Sequence, residues 1–501
     1  MIENPEKGQH LHPALGWLRL HPALDAGALF IIGIFLLLLP FSTPRIYATD
    51  EVQYYSHLRS LYFDHDLDFT NEYRHFATVG NEHGDPAVYN ALLRHRPDDP
   101  PRNPATGKFR NLAPIGSALL WSPGFVLADV GVRLARLLGA DVAANGYTWP
   151  YIWAACYMSL LYALLGLLLT YRLARRFVGS FAATLGVVTV WLASPLVFYS
   201  TIAMPWSHAT AFFLFALFLA LWLRGWDGPL VSRRARRSFG EWALLGVVGG
   251  LMTITREQLG LLLLLPAVEG IVAYITTLRN QSERWRSAGH LLAGHMIFMG
   301  CFVLVLLPQL LTYQVLNGRP FPSSVVAGKL KGGGGISPHF FDTLFHPQHG
   351  AFLWSPVLLI GLFGLALLAR RDRLLATLLL LGFLAQTYIN GSFGTTWHLS
   401  GSFGFRRLIE CTPIFALGLA LLVERARTRV GPWPLIAAAL LLIYWNVGLV
   451  AQWTIVRPEM RKGLIWDEML YYQVVEVPQR VIETFYALLF DRCRFFKNQS
   501  C

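Results

Sequence analysis

Charge is what this sequence has least of. Of its 501 residues only 14% are Asp, Glu, Lys or Arg, against about 25% in soluble domains. Apolar residues make up 54%, and mean hydropathy is +0.43. A soluble fold of this composition would expose large apolar patches to water. Lysine is nearly missing (Lys7, Lys108, Lys329, Lys331, Lys462 and Lys497), so the net charge of +12 is carried by arginine. In a soluble chain that charge points to nucleic acid. Here arginines clustered in short loops between apolar runs point to the positive-inside rule, and no nucleic-acid partner is expected. The five cysteines, Cys156, Cys301, Cys411, Cys493 and Cys501, form no CxxC or Cys/His spacing, so no zinc site is expected. GxSxG, HExxH, Walker and dinucleotide fingerprints are missing too, and no cleavable signal peptide is visible.

What the sequence does have is long hydrophobic runs. A helix crossing the hydrocarbon needs about 20 mostly apolar residues. Eleven spans are expected, at 25–42, 149–171, 181–202, 207–224, 240–255, 259–278, 289–315, 351–369, 374–390, 409–423 and 433–455. A further run, 113–129, is short and interrupted by Pro114, Pro123 and Gly124. Arginine-rich turns follow every second span, at Arg172–Arg176, Arg224–Arg237, Arg279–Arg286, Arg370–Arg373 and Arg425–Arg429. They therefore share one side, assigned to the cytoplasm. The N-terminus is then inside only if 113–129 does not cross. That run belongs to an outside loop, 43–147, as a half-inserted or surface-lying helix. The expected fold class is all-α: a polytopic integral membrane protein with this long first extracytoplasmic loop carrying juxtamembrane helices. Residues 1–455 form one transmembrane domain. A tail, 456–501, follows outside, with an apolar-faced stretch at 478–490 lying on the surface. The multi-pass chain is placed in a bacterial inner (plasma) membrane, with any chemistry on the extracytoplasmic face.

The polar residues on that face are the candidates. Asp50 and Glu51 follow the first span directly. A carboxylate at a membrane edge beside aromatics can be partly desolvated, which suits a general base. The competing reading is that Thr49 or Asp50 caps a juxtamembrane helix over 50–62. The acidic run Asp64-His65-Asp66-Leu67-Asp68, interleaved with Tyr62, Phe63, Phe69 and Tyr73, reads as a solvated turn. A divalent cation is the sharper alternative, so the cofactor requirement stays open and no metal ligand is assigned. Lys108 and Arg110 precede the membrane-dipping run and either meet a lipid phosphate or snorkel. His208, Arg256 with Glu257, Trp397, His398, Arg406 and Arg407 lie at the outer ends of later spans. Outside arginines oppose the topology rule. They either pair with Glu257 and Glu410 or fork onto a phosphate. The segment Lys329–Gly335, with four consecutive glycines, reads as a hinged flap. Asn390-Gly-Ser and Asn498-Gln-Ser match the glycosylation sequon.

The order of these features resembles the polytopic glycosyltransferases of the GT-C fold, nearest the protein mannosyltransferase and aminoarabinose-transferase type. The resembling features are Asp50-Glu51 after the first span, Pro114-Ile115-Gly116, the Arg172–Pro195 turn-and-span, and the late Trp/Arg loop. The resemblance implies a polyprenyl-phosphate sugar donor and inverting transfer outside the cytoplasm to a hydroxyl on a lipid, glycan or protein acceptor. On this reading Asp50 is the base, Glu51 orients it or shares the work, and Arg407, Arg406 or Arg256 holds the leaving phosphate. Lys108, Arg110, His208, Trp397 and His398 complete the candidate substrate-binding set. A transporter or flippase of lipid-linked sugars would share the spans and edge arginines. A non-catalytic envelope scaffold would leave Asp50 and Glu51 dispensable.

Overall fold

The computed structural model describes residues 25–96, 100–224, 237–279, 284–330, 336–347, 349–394, 396–399, 401–456 and 466–490. Among them the regular structure is helical, with only two isolated β-bridges, Arg102 with Phe109 and Leu330 with Phe393. The chain is an all-α polytopic membrane protein.

In chain order, α1 (Ala26–Leu38) leads to α2 (Thr49–Arg59) and α3 (Thr70–Glu82), followed by α4 (Gly116–Leu137) and α5 (Trp149–Arg175). Next come α6 (Ser180–Leu192), α7 (Leu196–Thr201), α8 (Ser207–Trp222), α9 (Phe239–Thr255), α10 (Leu264–Arg279) and α11 (Arg284–Asn317). Short helices α12 (Ser324–Lys329), α13 (Asp342–Phe345) and α14 (Ala351–Trp354) lead to α15 (Pro356–Ala369), α16 (Arg373–Gly391), α17 (Thr412–Val430) and α18 (Pro432–Ala451). The last are α19 (Trp466–Tyr471) and α20 (Val477–Phe490).

Among the described residues, six helices are long and apolar enough to cross a membrane: Gly116–Leu137, Trp149–Arg175, Glu257–Arg279, Arg284–Asn317, Arg373–Gly391 and Pro432–Thr454. Five more apolar helices are shorter, including Ala26–Phe41 and Ser207–Trp222. Two expected spans are interrupted. The 181–202 run bends before Pro195, which lacks the amide hydrogen that would continue α6. The 351–369 run breaks at Ser355, before Pro356. The 259–278 run enters through a 3₁₀ stretch, Glu257–Leu263.

The run at 113–129 is longer than its prolines imply. Pro123 lies inside α4, which continues to Leu137. α4 runs antiparallel to α5: the Tyr162 hydroxyl donates to Leu120 O at 2.9 Å, and that of Tyr151 donates to Asp129 at 2.7 Å. Its first turn sits against the start of α8, through Ser117 and Thr210, and the end of α9, through Gly116 and Thr255. α4 therefore begins beside the middle of α5 and climbs away from the arginine turns, although its length would allow a crossing.

The bundle has two unlike ends. At one, Arg175 meets Asp25, Arg176 donates to Leu223 O and Arg371 to Phe177 O. Arg237 is locked to buried Glu269. The opposite end gathers the polar candidates. Between the two ends, α15 and α17 cross almost backbone on backbone. A Cβ on Gly364 would run into the Gly418 carbonyl, and one on Gly361 into Phe415 O. The segment 466–490 folds back on α18, where the Gln473 amide donates to Tyr444 O at 2.8 Å. α20 keeps Ile482, Tyr486 and Phe490 exposed, while Phe485 stacks on Phe41 at the end of α1.

Candidate functional site

Asp50 and Glu51 are adjacent on α2 but have different surroundings. α2 begins after Ala48, and the Glu51 carboxylate folds back to accept the backbone N–H groups of Tyr47 (2.8 Å) and Ala48 (2.9 Å). The half of a capping box that needs a carboxylate is thus supplied by Glu51, and neither Thr49 nor Asp50 caps the helix. The other Glu51 oxygen accepts the Trp206 indole N–H at 2.5 Å. Glu51 is fully buried, and burial pushes its carboxyl up to about 7 against the pull of these donors. Asp50 points the other way, its side chain 41% exposed, with one oxygen 3.0 Å from Arg406 Nη2. Of the two carboxylates, only Asp50 is open to solvent.

Opposite α2, the 3₁₀ turn Arg406–Cys411 presents both arginines and then buries Glu410. Glu410 is 2.9 Å from Arg256 Nε and 2.9 Å from His208 Nδ1, and both Glu410 and His208 are fully buried. Arg256 also donates to Ser207 Oγ at 3.1 Å, and that hydroxyl donates to the Tyr54 phenol at 2.8 Å. The pairing of Arg256 with Glu410, one of the two readings open from sequence, is therefore present. Glu257 instead hydrogen-bonds Tyr313 on α11 and joins none of the three arginines among the described ion pairs.

Arg407 differs from both of its neighbours. It makes no ion pair among the described residues. Its Nη2 donates to Thr396 Oγ1 at 3.2 Å, and its guanidinium lies 4.7 Å from the centre of the Phe393 ring. Its carbonyl accepts from Gln258 and Asn390, which fix the backbone. Burial, then the nearby charges of Arg406 and Arg256, push Arg407 down to about 9. Three guanidiniums therefore face two carboxylates, Asp50 and Glu410. Arg406 Nε and Nη1 and Arg407 Nη1 are buried donors with no hydrogen-bond partner among the described residues. Such a cluster is stabilised by an anion with several acceptor oxygens.

Trp397 follows Thr396, the hydrogen-bond partner of Arg407, in the sequence. Its ring stacks on His339 (4.5 Å between centres) and meets His346 and His398 edge-on. His339 in turn pairs with Asp342 at 2.9 Å.

Lys108 and Arg110 are not gathered into this cluster. They lie on a hairpin closed by the Arg102–Phe109 bridge, whose Asn103 and Thr106 side chains donate to Leu316 O. Lys108 is near Asp68, and the Arg110 carbonyl accepts from Tyr73. The acidic turn is internally bonded: Asp64 to Arg59 and Asn71, Asp66 to Ser60, and Asp68 to Thr70. Among the described residues, no group of three or more His, Cys, Asp or Glu side chains is placed to hold a metal. The four glycines of the expected flap, and Asn498, lie outside the described residues. Tyr54, Trp206 and Thr396 are not candidates from sequence, whereas Ser207 and Gln258 stand beside His208 and Glu257 at the outer ends of their spans. Adjacency to Ser207 and His208 is the one available signal for Trp206.

No protein-family model matches the sequence, and no curated protein does. Solved structures similar to it include the oligosaccharyltransferase AglB of Archaeoglobus fulgidus in complex with an inhibitory peptide and a dolichol-phosphate. That match has 12% identity and a TM-score of 0.45, and covers 88% of this chain and 56% of that one. The same organism's oligosaccharyltransferase in the apo form gives 13% and 0.44, covering 95% and 60%. The chain spans less than two thirds of the length of these structures.

Proposed function

We propose that the protein is a membrane glycosyltransferase that moves a sugar from a polyprenyl-phosphate-linked donor to an acceptor hydroxyl. The single observation carrying this reading is Arg407, a half-buried cation beside two others, with a buried Nη1 that has no partner and with no ion pair among the described residues. An anionic phosphoryl group would satisfy its unpartnered donor. The exposed carboxylate of Asp50 belongs to the same cluster, bound to the neighbouring Arg406.

The chemistry follows from those positions. Asp50 takes the proton of the acceptor hydroxyl, whose oxygen forms a bond to the anomeric carbon. The bond from that carbon to the phosphate oxygen breaks, and the electron pair leaves with the phosphate. Arg407 stabilises the departing charge. One displacement gives inversion. Glu410 neutralises Arg256 and holds it as framework. With the arginine turns in the cytoplasm, transfer occurs on the extracytoplasmic face.

The test is a radiolabelled transfer assay with polyprenyl-phosphate sugars and membranes containing the protein. Label should reach acceptor in wild type and not in Arg407→Ala. Movement of label across the bilayer without transfer would replace this reading with a flippase. Neither transfer nor movement would leave the non-catalytic scaffold.

A further inference from the structure

Trp206 binds on two sides. Its indole N–H is held by Glu51, whose other oxygen is tied to the backbone at the start of α2. Its ring face carries the Arg406 guanidinium, 3.9 Å from the ring centre. Arg406 reaches from that face to Asp50 at 3.0 Å. A closed circuit results: Asp50, Arg406, Trp206 and Glu51, with the two acids adjacent on one helix.

A cation on an aromatic face is held by an attraction with little directional preference in the ring plane. A guanidinium can slide across indole and keep that attraction, while its hydrogen bonds are strongly directional. Arg406 has two further buried nitrogens, Nε and Nη1, with no partner among the described residues. The Arg407 guanidinium, close enough for the charge of Arg406 to depress it, belongs to the next residue. A phosphate drawn to Arg407 arrives beside Arg406.

We propose that Trp206 is a positioning residue on which Arg406 moves between Asp50 and the donor phosphate, so that the donor must bind before Asp50 can serve the acceptor. This rests on the phosphate reading given above. Without donor, Arg406 engages one oxygen of Asp50 and competes with an acceptor hydroxyl for the carboxylate. With donor, the phosphate replaces Asp50 as the partner of Arg406, and Trp206 keeps the guanidinium desolvated and in place during the exchange. Glu51 acts through Trp206 by fixing the plane of the ring.

The experiment uses farnesyl phosphate with the purified full-length protein in detergent. Its binding is followed by calorimetry. Labelling of Asp50 by a carbodiimide and an amine is followed by peptide mass spectrometry, with Asp50→Asn as the control. Farnesyl phosphate should speed labelling of Asp50 several-fold in wild type. Trp206→Phe, which keeps the ring face, should retain that acceleration, and Trp206→Ala should bind the phosphate and lose it. Binding in wild type with unchanged or slower labelling would overturn the role of Trp206 and leave the phosphate reading intact. No binding at all in wild type would overturn both. Loss of acceleration in Trp206→Phe as well would place the effect in the N–H bond to Glu51 and overturn the sliding contact.

Discussion

Arg256 and Glu410 form a buried ion pair, 2.9 Å apart, at the junction of α9 with the turn before α17. Arg407, beside it, has no such partner among the described residues. The two arginines should therefore fail differently. Arg256→Ala strands a buried carboxylate and should cost about 3–5 kcal/mol of stability, read as a large fall in melting temperature in detergent. Arg407→Ala removes a charge that its neighbours repel. It should leave stability unchanged or raise it while transfer is lost, and lysine should restore transfer only in part because it lacks the fork. Equal destabilisation by both changes would remove the distinction on which the phosphate assignment stands.

Asp50→Asn bears on the base. Capping is done by Glu51, so the change removes a proton acceptor and one exposed ion pair only. Expression and melting temperature should hold. Transfer should fall by about 10²–10⁴, measured with purified donor. Near-normal transfer would refute the assignment.

Glu51 gives a pH signature of its own. Its carboxyl is raised from 4.5 to about 7 by burial. Between those values the unfolded chain has lost the proton that the folded chain keeps. Stability therefore falls as pH rises from 4.5 to 7, by about 3 kcal/mol from this group at 1.36 kcal/mol per unit. Glu72, buried and also raised to about 7, contributes with the same sign. Melting curves across this window should flatten for Glu51→Gln. A variant with the wild-type slope would show that Glu51 stays ionised throughout.

Sidedness is tested by labelling on intact cells. A cysteine placed at Gly84, on the first long loop, should react with an impermeant maleimide, and one placed at Gly228 should not. The reverse result would turn the proposed active face towards the cytoplasm.

Much of this arrangement was legible in the sequence because it depends on local pattern. Apolar runs mark helices, arginine turns share an end, and Asp50 follows the first span. The arginines at 256, 406 and 407 were conspicuous because they stand at the wrong end for the charge rule. What the sequence hid was partnership across long separations. Glu257 and Glu410 were equal candidates for those arginines. The 3₁₀ turns at 257–263 and 406–411 send Glu410 inward to Arg256 and leave Glu257 facing Tyr313. The division of labour between Asp50 and Glu51 depends on Trp206, 155 positions away from Glu51. The length of α4 was misjudged for a different reason. Pro123 looks like a break in the sequence, yet α4 continues through it to Leu137.

The crossing of α15 and α17 has a bearing on how this protein tolerates change. The turn carrying Arg406, Arg407 and Glu410 leads straight into α17, and Phe415 and Gly418 on α17 lie against Gly361 and Gly364. A single methyl group at Gly364 has no room and must tilt one helix against the other. Fixed to the top of α17, the arginines would swing away from Asp50, which sits on a different helix. A change among wholly apolar residues, distant in sequence from every ionisable group of the site, would then present as a catalytic defect in a protein that still inserts and folds.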